Sequence, residues 1–159
     1  MKIIVFSDSH GDISLMKRAI KAVGPDRVIH LGDYTRDALE IGKLFPELHL
    51  DVVKGNNDFT SSYPQDKVLD VAKKTLFLSH GDRYGVKLGL HRIAWKGREL
   101  GVDAVLFGHT HIPYLERVGG MWVMNPGCIG RSTFFSRSAT YGLIEVSEDE
   151  ITCEIRNIK

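Results

Sequence analysis

Short apolar runs alternate with amphipathic stretches through the first third of the chain. The apolar run at 2–6 has the length of a buried strand, and the next stretch places Ile13, Met16 and Ile20 on one helical face. The Gly24-Pro25 pair then ends the helix. In order, the pattern predicts a strand at 2–6, a helix at about 13–23, a strand at 28–31, a helix at about 36–45 and a strand at 48–53. Strands that alternate with helices in this way predict a parallel sheet with covering helices.

The remaining apolar runs are shorter and closer together. Runs at 67–71 and 75–79 flank Lys73-Lys74, which predicts a β-hairpin. A long helix is predicted over about 84–100, with Trp95 as a packing residue. Further strands are predicted at 104–107, 114–117, 121–125, 141–146 and 151–155, the last four of them antiparallel. We therefore expect an α/β fold in which two sheets pack together with helices outside.

Composition narrows the class of protein. At 159 residues the chain is long enough for one well-buried core and short for two, so we expect a single domain over residues 1–159. A net charge of +1 gives no basic surface of the kind that nucleic-acid binders carry, so nucleic acid is not expected as the main substrate. Neither Cys128 nor Cys153 has a partner at zinc-finger spacing, and no apolar run has membrane-spanning length. We expect free thiols, a cytoplasmic location and no membrane partner.

Five of the predicted strands end in residues that bind metal ions, usually beside a glycine. The first ends in Asp8-x-His10, and an extended backbone would direct both of these side chains to one face. The others end in Gly32-Asp33, Gly55-Asn56-Asn57-Asp58, His80-Gly81-Asp82 and Gly108-His109-Thr110-His111. Open α/β sheets bind ligands along this edge. Seven oxygen and nitrogen donors without a thiolate exceed one tetrahedral site, which predicts two ions that share one carboxylate.

This ordered set of motifs resembles the calcineurin-like metallophosphoesterase superfamily, and in particular its small single-domain bacterial and archaeal phosphodiesterases. The resemblance spans residues 8–127 and includes Asn125-Pro126-Gly127. It implies a four-layer sandwich of two mixed β-sheets flanked by helices. It also implies two divalent metal ions, with Mn²⁺ expected and Ni²⁺, Zn²⁺, iron or Co²⁺ as alternatives. The first ion would be held by Asp8, His10, Asp33 and His111, and the second by Asp33, Asn56, His80 and His109.

The activity implied by the resemblance is phosphoester hydrolysis through attack of a metal-bridging hydroxide on phosphorus. Asp33, Asn56, His80 and His109 would carry the catalysis. Many superfamily members have histidine at the position of Asn57, and an amide cannot titrate near neutral pH. We therefore expect small phosphodiesters with acidic leaving groups to be better substrates than alkyl monoesters.

Several residues near the motifs are assigned further roles. Substrate contacts are assigned to Asn56, Asn57, Asn125 and Arg131. The stretch 132–138 is expected to form a flap or an oligomer contact. Asp58 and Asp82 are each expected either to accept a hydrogen bond from a ligating histidine or to serve as a cap or surface residue. His30 is expected to be either a core residue or a residue that supports a metal ligand, rather than an eighth ligand.

Two other functions are compatible with the same sequence. The superfamily includes phosphomonoesterases and nucleases, and its fold also serves as a protein-binding scaffold in a relative that departs from the ligand set. All seven donors are present in this chain, which favours chemistry over the scaffold. A small-molecule diester is therefore the expected partner, and the apolar residues of the last strands are compatible with a homo-oligomer.

Overall fold

The computed structural model describes residues 1–130 and 138–158. The strands are β1 (Lys2–Phe6), β2 (Arg27–His30), β3 (His49–Val52), β4 (Asp66–Val71), β5 (Lys74–Ser79), β6 (Ala104–Leu106), β7 (Tyr114–Val118), β8 (Met121–Asn125), β9 (Ala139–Val146) and β10 (Ile151–Ile158). The helices are α1 (Ser14–Val23), α2 (Thr35–Leu44) and α3 (His91–Leu100), with a short 3₁₀ helix at Asp82–Tyr84.

The strands form two five-stranded mixed sheets. The first has the order β10-β9-β1-β2-β3, and the second has the order β4-β5-β6-β8-β7. Strands β1, β2 and β3 are parallel, and so are β5, β6 and β8. The predicted hairpin of β4 and β5 and the antiparallel pairs β7–β8 and β9–β10 are confirmed, although β8 also pairs in parallel with β6. Each sheet thus has three parallel strands whose carboxyl ends share one edge.

Alternation along the strands assigns each face of a sheet to a different layer. In β1, Ile3 and Val5 belong to the core between the sheets, while Ile4 and Phe6 pack with Met16 of α1. The outer face of the second sheet packs against α3 in the same way. Within the described residues the layers are helices, sheet, sheet and helix, so the predicted sandwich is confirmed.

The prediction of one long helix over 84–100 is wrong at its start. The chain leaves the 3₁₀ helix at Gly85, which has a φ of 63°, and α3 begins only at His91. The assignment of Trp95 to packing is also wrong, because its side chain is 69% exposed. The buried positions of α3 are Ile93 and Gly97, four residues apart, and Trp95 lies between them on the opposite face of the helix.

No helix in the described part of the chain is long and apolar enough to cross a membrane. Residues 132–137 of the predicted flap lie outside the described residues.

Candidate metal centre

The loops that follow β1, β2, β3, β5 and β6 meet at one edge of the two sheets. Within the first sheet, the backbone N–H of Asp8 donates to Gly32 O at 3.1 Å. Across the sheets, the backbone N–H of His109 donates to Asp8 Oδ2 at 3.1 Å, and His80 Nδ1 lies 2.8 Å from Leu31 O. These bonds hold in one cluster motifs that lie as far apart in the sequence as Asp8 and His109.

Four of the predicted metal ligands form a compact group. Asp8, His10, Asp33 and His111 present ligand atoms that all lie within 4.8 Å of one another. His10 Nε2 and His111 Nε2 are 3.3 Å apart, and Asp8 Oδ1 lies 3.1 Å from His111 Nε2. Two carboxylates and two imidazoles at this spacing suit a divalent ion such as Mn²⁺, Fe²⁺ or Zn²⁺.

The other three predicted ligands are Asn56, His80 and His109, and the His80 imidazole between them is fully buried. Its Nε2 atom lies 3.1 Å from Asn56 Oδ1 and 3.2 Å from His109 Nδ1. Asp33 Oδ1 lies 3.5 Å from the same nitrogen. Asp33 therefore contacts both sets of residues and lies between them.

The hydrogen bonding of His80 tests whether this second set fits a cation. The Leu31 carbonyl can only accept, so Nδ1 carries the proton, and in the neutral imidazole Nε2 carries a lone pair. That lone pair lies near Asn56 Oδ1, Asp33 Oδ1 and His109 Nδ1, and of these three atoms only His109 Nδ1 can carry a proton. Oxygen and imidazole nitrogen atoms at this spacing can all coordinate a cation, so the residues fit a divalent metal ion.

The electrostatics differ between the two groups. Burial opposes ionisation of Asp8, but the hydrogen bond from His111, with that from the Ser7 hydroxyl, holds the pKa of Asp8 below its ordinary value. The same hydrogen bond to Asp8 raises the pKa of His111. Burial lowers the pKa of His109. Asp8 therefore stays ionised and His109 stays neutral, which are the forms that bind metal.

Most of the cluster residues have a left-handed backbone. Those with positive φ are Asp8 (57°), His10 (52°), Asp33 (57°), His109 (69°) and His111 (61°). The expectation that Asp8 and His10 converge from an extended backbone is therefore wrong, because the chain turns at each of them. A non-glycine residue in this region costs about 1–3 kcal/mol, and such strain concentrates at functional sites.

Two glycines permit the close approach of the loops. A Cβ atom added at Gly55 would overlap Asp33 Oδ1, and one added at Gly108 would overlap Ser7 Oγ. The absence of a side chain at these positions lets the loops after β3 and β6 reach the carboxylates of the loops after β2 and β1. The glycines beside the ligands thus leave space for side chains of the neighbouring loops.

The residues assigned to substrate contact have different environments. Asn57 donates to Asp33 twice, from its backbone N–H to Oδ1 at 3.0 Å and from Nδ2 to Oδ2 at 2.7 Å. Asn125 is completely buried, and its amide contacts Gly108 O, Thr110 Oγ1 and the backbone N–H of Gly127. We therefore revise the assignment of Asn125 to substrate contact. Because its amide is buried and hydrogen-bonded, it joins the loop after β6 to the loop after β8. Arg131 lies outside the described residues.

The carboxylates beside the motifs do not bond to the cluster histidines. Asp58 accepts the backbone N–H groups of Thr35 and Gly55, both at 2.8 Å, which corresponds to the capping role rather than to a partner for a histidine. Among the described residues, the Asp82 carboxylate accepts no hydrogen bond from a predicted ligand, although its charge acts on His109. The loops are thus fixed mainly by backbone donors.

Three neighbours of the cluster were missed by sequence reasoning. Ser7 donates to Asp8 Oδ2 at 2.6 Å, and Tyr34 places its ring edge-on to His10 at 5.3 Å between centroids. Cys128 donates from Sγ to Asp8 O at 3.1 Å, and burial raises its pKa to about 11, so it remains a neutral free thiol as expected. The position of Ser7 next to Asp8 was a usable signal, whereas nothing in the sequence links Cys128 to residue 8.

The chain belongs to the calcineurin-like phosphoesterase superfamily, whose domain matches residues 1–149. It is similar to the probable metallophosphoesterase YsnB of Bacillus subtilis strain 168, with 31% identity over 155 residues that cover 96% of this chain and 88% of YsnB. It is also similar to phosphodiesterase MJ0936 of Methanocaldococcus jannaschii, with 26% identity that covers 94% of this chain and 96% of MJ0936. The family resemblance of the motifs is thereby confirmed.

Solved structures show the same architecture. A crystal structure of a conserved protein from Streptococcus pneumoniae TIGR4, described as a predicted phosphoesterase, matches with a TM-score of 0.81 and 27% identity over 98% of this chain and 88% of that one. The crystal structure of Chaetomium thermophilum Vps29 also matches with a TM-score of 0.81, at 17% identity over 100% of this chain and 88% of that one. The second likeness concerns the fold alone.

Proposed function

We propose that this protein is a dinuclear metal-dependent phosphodiesterase that hydrolyses small phosphodiesters. One ion would be held by Asp8, His10, Asp33 and His111, and the other by Asp33, Asn56, His80 and His109. Mn²⁺ is the metal expected first. When bound, the two ions activate water and neutralise the charge on the phosphate oxygens.

The observation that carries the proposal is the position of Asp33 between two sets of donors. One of its neighbours is the group of Asp8, His10 and His111, and the other is His80 Nε2, which lies 3.5 Å from Asp33 Oδ1. The Asn57 amide and backbone N–H fix both oxygens of this carboxylate. Held in this way, Asp33 is oriented before any ion binds, and the pre-organisation of a shared ligand lowers the cost of binding.

The proposed preference for diesters follows from the chemistry of the Asn57 side chain. Its side chain donates to Asp33 and cannot release a proton near neutral pH, so position 57 supplies no general acid for a poor leaving group. A diester with an acidic leaving group does not need that proton. Relatives described as phosphodiesterases, among them MJ0936, are consistent with this preference.

The test is hydrolysis of bis-p-nitrophenyl phosphate beside p-nitrophenyl phosphate. Metal-stripped protein is supplied again with Mn²⁺, Ni²⁺ or Zn²⁺, and bound metal is counted by mass spectrometry. We expect the protein to bind about two ions per chain and to cleave the diester only when metal is bound. Asp33→Ala should lose both the metal binding and the diester cleavage. Asp149→Ala is the matched control, because Asp149 is exposed on a turn far along the chain.

Three other outcomes would contradict the proposed function. Faster cleavage of the monoester would assign the protein to the phosphomonoesterases and contradict the argument from Asn57. One ion per chain with full activity would contradict the shared role of Asp33. Two bound ions without turnover of either ester would favour a protein-binding scaffold.

A further inference from the structure

A cavity of about 540 Å³ lies between the beginning of α2 and the loop that follows β3. Three aromatic residues line it, namely Tyr34, Phe59 and Tyr63, together with Leu39 and several hydroxyl side chains. Phe59 is 88% exposed and Leu39 is 46% exposed. A single exposed apolar side chain is ordinary, but two that share one cavity with two tyrosines form a patch suited to a ligand.

Two residues that line the cavity also contact the candidate metal centre. Asn57 lines the cavity and donates to the Asp33 carboxylate at 2.7 Å. Tyr34 also lines the cavity, and its ring lies edge-on to that of His10 at 5.3 Å between centroids. Tyr34 has a φ of 71°, a strained conformation that occurs where a side chain must be directed to a particular place. A molecule with a phosphate at the metal centre would therefore extend its organic group into this cavity.

The charges around the cavity suit a phosphorylated ligand. The Asp58 carboxylate is engaged by the backbone N–H groups of Thr35 and Gly55 at 2.8 Å. The Arg36 guanidinium lies 4.7 Å from the centre of the Tyr34 ring, and it would be within 3.6 Å of a Cβ atom at Gly11, the residue after His10. A planar guanidinium held over an aromatic ring at this rim offers hydrogen-bond donors to phosphate and a flat surface to an aromatic group.

The lining also indicates the shape of the organic group. Exposed aromatic rings bind planar rings by stacking, and the hydroxyl groups of the 60–63 segment can hydrogen-bond to polar atoms at the ring edge or on a sugar. A short alkyl group would leave Phe59 and Leu39 in water and would gain little from this cavity. The lining thus favours a ligand that combines an aromatic ring with hydrogen-bonding groups.

We propose that this cavity binds the organic group of a nucleoside-type phosphodiester, with Phe59 as the stacking residue. The inference rests on the proposed function, because it assumes that the phosphate lies at the metal centre. It adds the class of substrate, an aromatic and hydrogen-bonding group attached to phosphorus, and it makes Phe59 a specificity-determining residue.

The test compares two ligands that differ only by a base. Binding of adenosine 5′-monophosphate and of ribose 5-phosphate to the metal-loaded protein is measured by calorimetry. We expect the nucleotide to bind at least about tenfold more tightly, and we expect Phe59→Ala to reduce that ratio about tenfold. The matched control is Trp95→Ala, another exposed aromatic residue that lies on α3 and does not line this cavity, and its ratio should equal that of the wild type.

Equal binding of the two ligands, or an unchanged ratio in Phe59→Ala, would overturn the inference. Failure to bind either ligand would overturn it as well. Hydrolysis of bis-p-nitrophenyl phosphate by the same preparations separates this result from the proposed function. Metal-dependent turnover without a preference for the nucleotide removes only the cavity assignment, whereas a preference for the nucleotide without turnover removes the phosphodiesterase and leaves a nucleotide-binding site.

Discussion

Two histidines at the ends of parallel strands are equally buried but have opposite hydrogen bonding. His30 ends β2 and is 1% exposed, and His80 follows β5 and is fully buried. Both are followed closely by glycine and aspartate in the sequence. Burial and local sequence therefore do not distinguish a core histidine from a candidate ligand.

The difference lies in what each second nitrogen meets. In His30, Nδ1 accepts from the backbone N–H of Gly32 at 3.2 Å, and Nε2 lies 3.1 Å from Ser9 Oγ. Because Ser9 uses its own proton on Asp37 Oδ2 at 2.7 Å, Nε2 of His30 is the donor, and both nitrogens are satisfied within the protein. In His80 the second nitrogen lies among Asn56 Oδ1, Asp33 Oδ1 and His109 Nδ1, all of which can coordinate a metal ion. A buried histidine whose second nitrogen lies among other metal-binding atoms fits a cation site, and one whose partners are a backbone N–H and a hydroxyl is part of the core.

Removal of the His80 imidazole gives the largest expected effect. We predict that His80→Ala lowers kcat/KM for bis-p-nitrophenyl phosphate on the order of 10³-fold, more than the 10–100-fold typical of residues that only support a ligand. The number of bound ions per chain should fall in parallel. His49→Ala is the matched control, because His49 is exposed and lies at the start of β3, and it should retain activity and metal. A His80→Ala variant that keeps both would mean that His80 is a core residue like His30.

The pH dependence of folding tests whether His30 is a neutral core residue. Burial lowers the pKa of His30 to about 4, against an ordinary value of 6.5. Above pH 6.5 the side chain is neutral in both the folded and unfolded states, so its full contribution is present. Between pH 6.5 and 4 only the unfolded state takes up the proton, and the free energy of unfolding should fall by roughly 3 kcal/mol.

The measurement is urea unfolding between pH 4 and 7, with a chelator present so that metal release does not contribute. His30→Gln should remove this part of the slope, although it will be less stable at pH 7. A slope in His30→Gln equal to that of the wild type would show that His30 is protonated in the folded state, and the tautomer assigned from Ser9 would be wrong.

The layout of the fold was predictable because it depends on periodicity. Apolar runs of strand length ended at the motifs, and the carboxyl ends of parallel strands share an edge, so the convergence of Asp8, Asp33 and His80 followed from topology. The length of α3 was not predictable in the same way. Residues 84–90 continue a helical pattern of apolar positions, but Gly85 and Gly89 adopt positive φ and interrupt it.

The detailed contacts of the cluster depend on backbone conformation that the sequence does not express. A left-handed φ at Asp8 and His10 turns each side chain in a direction that an extended strand would not give. Asn57 and Asn125 show the same limit, since Asn57 lies in the loop after β3 and Asn125 ends β8 beside Pro126, and only the tertiary structure distinguishes their roles. The amide of Asn57 donates to Asp33, whereas that of Asn125 donates to Gly108 O in the loop after β6 and accepts from the backbone N–H of Gly127.

The smallest of the three predicted effects concerns Asn57, which orients the Asp33 carboxylate beside His80. Asn57 holds Asp33 by its side chain at 2.7 Å, so Asn57→Ala should leave the carboxylate with the backbone N–H at 3.0 Å as its remaining bond from this residue. We predict a 10–100-fold loss in metal affinity or in kcat/KM for the diester, the range typical of a residue that orients a ligand. The loss should be smaller than that of His80→Ala, because the ligand itself is retained.

A second substitution distinguishes orientation from substrate contact. Asn57→Asp keeps the size of the side chain but places a second anion beside Asp33, so it should weaken metal-free folding and show a pH dependence that Asn57→Ala lacks. Asn157→Ala, at an exposed position in β10, is the matched control. If Asn57→Ala raised only KM and left metal affinity unchanged, the amide would act on the substrate rather than on Asp33. The pre-organisation of the carboxylate opposite His80 would then come from the backbone alone.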